Sequence, residues 1–181
     1  MPKEFKVYEK HVALWGSELG NFHKCKFSYK NFTWGSAEQA YQAEKAAFFN
    51  DYGTLFKIMM STTPKEAKEI GQTVSRFDKE LWNKASFDIM YDIVYQKFAQ
   101  NENLKNLILS DEFKGKHFVE GSPVDGIWGV KVAWDNPQID DESNWNGENR
   151  LGKVLDKVRN HFIDVEFDLM TMTVDYDKDR D

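Results

Sequence analysis

Glu38, Gln42 and Lys45 stand at i, i+4 and i+7, and at about 100° per residue on a helix they share one stripe. A carboxyl group and an amine one to two turns apart can act on one substrate, the acid moving a proton and the amine attacking an electrophilic carbon. The same spacing also builds an ordinary solvated Glu-to-Lys ladder, and spacing alone does not separate the two. A second constellation, Glu120-Gly-Ser-Pro-Val-Asp125-Gly-Ile-Trp128-Gly129, puts two acids, a turn and an indole within ten positions. The indole can stack on a nucleobase, the acids can take sugar hydroxyls or a developing positive charge, and Gly126 and Gly129 leave room for close approach. Equally, Trp128 can be a core anchor and Asp125 a turn cap. In a third cluster, Trp145-Asn-Gly147-Glu-Asn149-Arg-Leu-Gly152, the amides opening a helix could hold a phosphate, or Asn149 could merely cap it. Neither GxGxxG nor a Walker lysine is present. Cys25 has no identifiable base beside it, which argues against a thiol nucleophile.

Capping signals set the elements that carry these residues. Ser36-Ala-Glu-Gln39 fits a capping box and opens an Ala-rich helix running to about Phe49. Thr63-Pro64-Lys65-Glu66 gives a second box with proline at the first helical position, ending near Gly71. Met90, Val94, Lys97 and Phe98 recur at helical spacing and predict a helix over Phe87 to Gln100. Leu104, Leu107 and Ile108 propose a short helix, and Leu151, Val154, Leu155, Val158 and Phe162 trace one face of a long last one. Four or five helices therefore dominate. Short strands are expected around Phe5 and Val7, Phe27 and Tyr29, Phe32 and Trp34, His117 to Glu120, and Ile127 to Ala133. Residues 135–149 are polar and long for a connection, which favours a binding or mobile loop.

The 181 residues fit one domain with one core. Hydrophobic residues make up 41% and aromatic residues 15%, enough for a packed interior, which excludes disorder as the main state. Of the net charge of -6, residues 164–181 contribute -5 through seven acids and two bases, leaving about -1 on the body. Such a body lacks the basic excess of a duplex-tracking protein, so a nucleic-acid substrate would have to be held locally. Residues 1–163 are read as the domain, and 164–181 as an acidic segment, part strand around Val165, Phe167 and Leu169 and part solvated tail. One cysteine excludes an intramolecular disulfide, no apolar run is long enough for a membrane span, and the charged start MPKEFKVYEK lacks a secretory signal. A cytoplasmic setting without membrane contact is expected. His11, His23, His117 and His161 lie too far apart for common metal patterns, so no metal is expected.

Taken in order, these clusters resemble the NADAR family, named for NAD and ADP-ribose, over about Trp15 to His161. Gly20-Asn21-Phe22 looks like the family's Ser-Asn-Phe turn, and Trp34-Gly-Ser36-Ala-Glu38-Gln-Ala-Tyr41-Gln42-Ala-Glu-Lys45-Ala46 looks like its central helix motif. Ala67-Lys68-Glu-Ile-Gly71, Met90 through Lys97-Phe98, and the 120–129 and 145–152 blocks follow in the family's order. Two departures stand out: Gly20 replaces the usual Ser, and Trp82-Asn83 replaces a common Trp-Asp.

The resemblance implies an α+β, mostly helical single domain with a few short strands, which hydrolyses an N-glycosidic bond between ribose and a nitrogen base without a cofactor. It implies as substrate either an ADP-ribosylated guanine in DNA or nucleotide, or a phosphoribosylamino-pyrimidine intermediate of riboflavin synthesis. A module that binds ADP-ribose or NAD without cleaving it, and a structural protein that keeps only the fold, are the rivals. Glu38, Lys45 and Asp125 are the expected catalytic residues. Asn21, Phe22, Trp34, Gln42, Glu120, Trp128, Gly129 and Asn149 are the expected substrate-binding ones, with Trp128 stacking on the base and Asn21 and Asn149 bonding to sugar or phosphate.

Overall fold

The computed structural model describes residues 5–178, with side chains described through Leu169. Its chain order is β1 (Phe5–Val7), β2 (His11–Leu14), β3 (Phe27–Tyr29), β4 (Phe32–Trp34), α1 (Ala37–Phe48), α2 (Tyr52–Met60), α3 (Pro64–Gly71), α4 (Lys79–Ala99), α5 (Glu102–Ile108), β5 (His117–Glu120) and α6 (Arg150–Lys178). The result is an α+β, mostly helical domain. Among the described residues no helix is long and apolar enough to cross a membrane.

The helix starts follow from capping chemistry. Ser36 Oγ accepts the Gln39 amide at 3.1 Å, and the Gln39 side chain reaches back to accept the Gly35 amide at 3.0 Å. Its Nε2 then donates to the carbonyls of Ile58 and Ser61, both at 3.1 Å, tying α1 to the end of α2. Thr63 Oγ1 accepts the Glu66 amide at 3.1 Å, with Pro64 at the first helical position of α3. Helix α2 is absent from the sequence expectation: Asn50, at φ 55°, turns the chain after α1, and Asp51 caps the next helix without a capping box. Helix α4 begins at Lys79 rather than Phe87, because Asp78 Oδ1 accepts the amides of both Glu80 and Leu81.

Strands β1, β2 and β5 form one sheet with β2 in the middle, antiparallel to β1 and parallel to β5, in the register Leu14 with Glu120. Strands β3 and β4 form a hairpin whose two turn residues, Lys30 and Asn31, both have positive φ, as a tight right-twisted hairpin requires. The main core lies between α1, α4, α6 and one face of the sheet, with Ala40, Ala43, Met90, Ile93, Phe98, Phe118, Val154 and Val158 buried in it.

A smaller core of Ala13, Val119, Val130 and Ile139 covers the other sheet face. It accounts for two differences from the sequence reading. Residues 127–133 form irregular bends rather than a strand, with Lys131 at φ 58° and the Val130 amide donating to the Glu120 carbonyl at 3.2 Å. Residues 135–149 hold two 3-10 turns and pack as a cover: Ile139 is fully buried and its carbonyl accepts Trp145 Nε1 at 2.8 Å.

The strand expected in the first half of 164–181 is also overturned. Helix α6 continues to Lys178, leaving Val165, Phe167 and Leu169 exposed, because extending an existing helix gains a hydrogen bond per residue while a new strand there has no sheet to join. Residues 1–4 and 179–181 lie outside the described residues.

Gly152 brings α6 against β5. A Cβ there would lie 2.1 Å from the Phe118 carbonyl oxygen and within 2.6 Å of the Asn149 side-chain amide. Gly152→Ala is therefore expected to cost about 2 kcal/mol or more in urea unfolding, through overpacking. A loss under about 0.5 kcal/mol would contradict this close contact.

Candidate active site

One cavity of about 580 Å³ opens between α1, α3, α4, the start of α6 and the loops holding residues 15–22 and 120–128. Its size suits a nucleotide-scale ligand. Helix α1 supplies Glu38, Tyr41, Gln42 and Lys45 to one wall. The stripe is thus no solvated ladder: Glu38 and Gln42 are each only 6% exposed. Gln42 Nε2 donates to Glu38 Oε1 at 2.8 Å. Burial pushes the Glu38 carboxyl above its usual range, against the opposing pull of the Gln42 bond and of Lys68 and Lys45. Burial also lowers Lys45, with Lys68 adding to the effect and Glu38 opposing it. The Lys45 ammonium lies 5.5 Å from the Phe77 ring centroid.

Asn21 enters from a loop held by an uncommon device. Lys97 of α4 is fully buried, and its Nζ donates to the carbonyls of Glu18 and Gly20 at 2.8 Å and of Leu19 at 3.3 Å. No carboxylate among the described residues bonds to it, and burial lowers this lysine to about 8. The clasp fixes the carbonyls just before Asn21 and Phe22, both of which line the cavity, and the Asn21 carbonyl in turn accepts the Glu38 amide at 3.0 Å. Asn21 Nδ2 donates to Met90 Sδ at 3.4 Å, whereas its Oδ1 has no hydrogen-bond partner among the described residues. Gly20 is itself part of the lining.

Strand β5 ends in Glu120 at the cavity. Its Oε2 is buried without a partner among the described residues, and burial, aided by the charge of Asp125, pushes the carboxyl up to about 8. Asp125 Oδ1 accepts the amides of Ile127 and Trp128 at 2.8 and 2.9 Å, and its own amide donates to Ser122 Oγ at 3.0 Å. Trp128 is half-buried, edge-on to Tyr41 at 5.4 Å, with the Arg150 guanidinium 5.7 Å from its ring centroid.

Eight of the eleven predicted residues thus share the cavity: Asn21, Phe22, Glu38, Gln42, Lys45, Glu120, Asp125 and Trp128. The other three do not line it. Trp34 is a core residue whose Nε1 donates to the Tyr29 carbonyl at 3.1 Å. Gly129 packs its backbone against Glu120, Ser122 and Asp125, where a Cβ would meet atoms at 2.9 to 3.0 Å. Asn149, at φ 51°, accepts the Glu120 amide at Oδ1 and donates from Nδ2 to the Phe118 carbonyl, both at 3.0 Å.

The phosphate site envisaged at the start of α6 is likewise ruled out for Glu148, Arg150 and Leu151, whose amides donate to the carbonyls of Gly126, Ile127 and Trp128. Cys25 is half-buried, outside the lining, with its thiol pushed up by burial. No group of three or more His, Cys, Asp or Glu side chains among the described residues could hold a metal ion.

Sequence reasoning passed over Lys68, Met90 and Arg150, although all three sit inside quoted motif blocks. It also missed Trp15 and Phe77, which chain spacing does not connect to Glu38.

Residues 8–163 match the NADAR domain family. The chain is 35% identical over 125 residues to Protein irg-1 of Caenorhabditis elegans, covering 68% of this chain and 58% of that protein, less than two thirds of its length. It is 39% identical over 124 residues to N-glycosidase R617 of Acanthamoeba polyphaga mimivirus, covering 68% and 72%. The NMR structure of the E. coli protein YbiA shares the fold with a TM-score of 0.70 at 21% identity, covering 91% of both chains.

The raised Glu120 carboxyl makes stability depend on pH in a definite direction. Between its ordinary value of 4.5 and about 8 the unfolded chain has released this proton while the folded chain keeps it, so the Glu120 contribution falls as pH rises through that window. Glu120→Gln is expected to flatten the stability curve there and to be more stable than the parent above about pH 8. Urea unfolding of both proteins from pH 4 to 9 measures this, and parallel curves would refute it.

Proposed function

The chain belongs to the NADAR domain family, and on that premise we propose that it is a hydrolase of N-glycosidic bonds that separates a ribose from the base of an ADP-ribosylated guanine, in DNA or as a nucleotide. The observation that carries this reading is the presence of the Lys45 amine and the Glu38 carboxyl in one partly water-excluded cavity, each displaced by burial toward its uncharged form. A relative named as an N-glycosidase, 39% identical over 124 residues, supports the reaction class.

In this reading Lys45 attacks C1 of the ribose as the sugar ring opens, giving a Schiff base after the base departs, and water then releases the sugar. Desolvation helps by leaving more of the amine unprotonated near neutral pH. Glu38, on the same stripe, shuttles the proton between the amine and the ring oxygen. Asp125, whose Oδ1 is held by two amides, offers a fixed negative charge to the positive charge that grows at C1. Trp128 stacks on the guanine, and the Asn21 and Gln42 oxygens without partners accept from ligand donors. The near-neutral body favours a nucleotide or an extruded base over duplex tracking.

Incubation with ADP-ribosylated guanosine, read by mass detection of free ADP-ribose, tests the reaction, with a phosphoribosylamino-pyrimidine as competitor substrate. Borohydride is expected to trap a sugar adduct on Lys45. Lys45→Ala should lose the adduct and about a hundredfold or more in turnover. Glu38→Gln should lose at least about tenfold, roughly 1.4 kcal/mol in the barrier. Saturable binding with the ligand recovered intact would instead identify a binding module, and preference for the pyrimidine would move the substrate to small nucleotides.

A further inference from the structure

Three carboxyl groups line the cavity, and their hydrogen bonding divides them. Glu38 Oε1 accepts from Gln42 at 2.8 Å. Asp125 Oδ1 accepts two main-chain amides and serves as a turn anchor. Glu120 alone of the three has a buried side-chain oxygen, Oε2, without a partner among the described residues. Its main chain, in contrast, is held firmly: the amide donates to Asn149 Oδ1 at 3.0 Å, and the carbonyl accepts the Val130 amide at 3.2 Å. The carboxyl therefore stands on a fixed strand end with an unsatisfied oxygen, an arrangement that costs stability unless a ligand atom completes it.

Resting on the reading that this cavity cleaves a ribosyl C–N bond, we propose that Glu120 is the general acid that protonates the departing base. The carboxyl holds its proton up to about pH 8 because burial outweighs the opposing charge of Lys68 from α3, and Asp125 of the neighbouring loop reinforces the effect. Glu38 and Lys45 of α1, Lys79 of α4 and Arg150 of α6 are the other charged groups among the described residues of the lining. A neutral carboxylic acid has an O–H to donate, and a base nitrogen with a growing lone pair is the acceptor that this reaction generates.

The proton balance closes. The Lys45 amine bonds to C1 as the C1–O4 bond breaks, and the amine proton passes to O4. The C1–N bond to the base then breaks with its electron pair going to the base nitrogen, which takes the Glu120 proton, while the Lys45 nitrogen lone pair forms the C1=N bond. Water next adds to C1 and loses one proton through Glu38 to bulk water, while the Glu120 carboxylate regains its proton from bulk water, restoring the acid. Collapse of the resulting carbinolamine yields the free aldehyde and the Lys45 amine. Acid work is thereby split between two walls, with Glu38 serving the ring oxygen and Glu120 serving the base.

The test uses the full chain and its Glu120→Gln and Glu120→Asp variants with ADP-ribosylated guanosine. Glu120→Gln is expected to lose about a hundredfold or more in kcat with KM within about threefold, and to lose the fall in kcat/KM that the parent shows as pH rises through about 8. Glu120→Asp, still an acid, should recover part of the rate and an alkaline fall. Ribose 5-phosphate carries a hydroxyl at C1 and has no base to expel, so borohydride should trap it on Lys45 equally in the parent and in Glu120→Gln. Turnover of Glu120→Gln within threefold of the parent, or an unchanged alkaline fall, would overturn the assignment while leaving the hydrolase reading intact. Loss of ribose 5-phosphate trapping together with turnover would overturn it in favour of a purely structural role. A parent chain that neither cleaves nor traps would overturn the hydrolase reading and this proposal with it.

Discussion

Keeping charge-bearing groups in a place poor in water is the constraint on which this molecule is built. Helix α1 turns Glu38 and Gln42 inward, against the usual preference of such residues for solvent, and does so with only one hydrogen bond between them. An interior stripe of that kind is tolerable because the helix is secured elsewhere. Ser36 and Gln39 satisfy its opening, Gln39 links it to α2, and Ala40, Ala43 and Ala46 seat its other face in the main core. Close approach of α3 completes the wall: a Cβ on Gly71 would lie 2.1 Å from Gln42 Oε1, so the small residue lets the amide of Gln42 stay where it meets Glu38.

Lys97 expresses the same constraint in another form. A fully buried ammonium facing three carbonyls costs a good deal of solvation, and it serves to gather the Glu18 to Gly20 segment into one arrangement beneath the cavity. The 15–22 loop therefore delivers Asn21 and Phe22 from a rigid base. On the opposite side the 120–128 loop is organised by Asp125 and Ser122 through main-chain amides. Both loops carry site residues, and both are fixed by side chains drawn from outside the site or turned back on the backbone.

Much of the frame was legible because local rules decide it. Capping boxes at Ser36 and Thr63 placed the starts of α1 and α3, and the helical spacing of Met90, Val94 and Phe98 marked the body of α4. What escaped was decided at a distance. The segment around Val130 alternates like a strand, yet it is spent covering the second sheet face. Val165, Phe167 and Leu169 alternate too, but a helix already under way absorbs them. For the site, eight motif residues do meet in the cavity, because a motif built on one helix face and two short loops keeps its geometry. Trp34 and Asn149 were misjudged for a common reason: an indole or amide in a motif can serve the scaffold as readily as a ligand, and only the partners at Tyr29 and Phe118 distinguish the two.

Strand β5 lies at one border of its sheet, where a row of unsatisfied amides and carbonyls would ordinarily invite another chain to dock. Here that row is occupied. The Phe118 amide donates to Asp156 and its carbonyl accepts from Asn149, while the Glu120 amide donates to Asn149 and its carbonyl accepts from Val130. Asn149 and Asp156 thus impersonate a neighbouring strand, and this border offers no template for intermolecular β-pairing or aggregation.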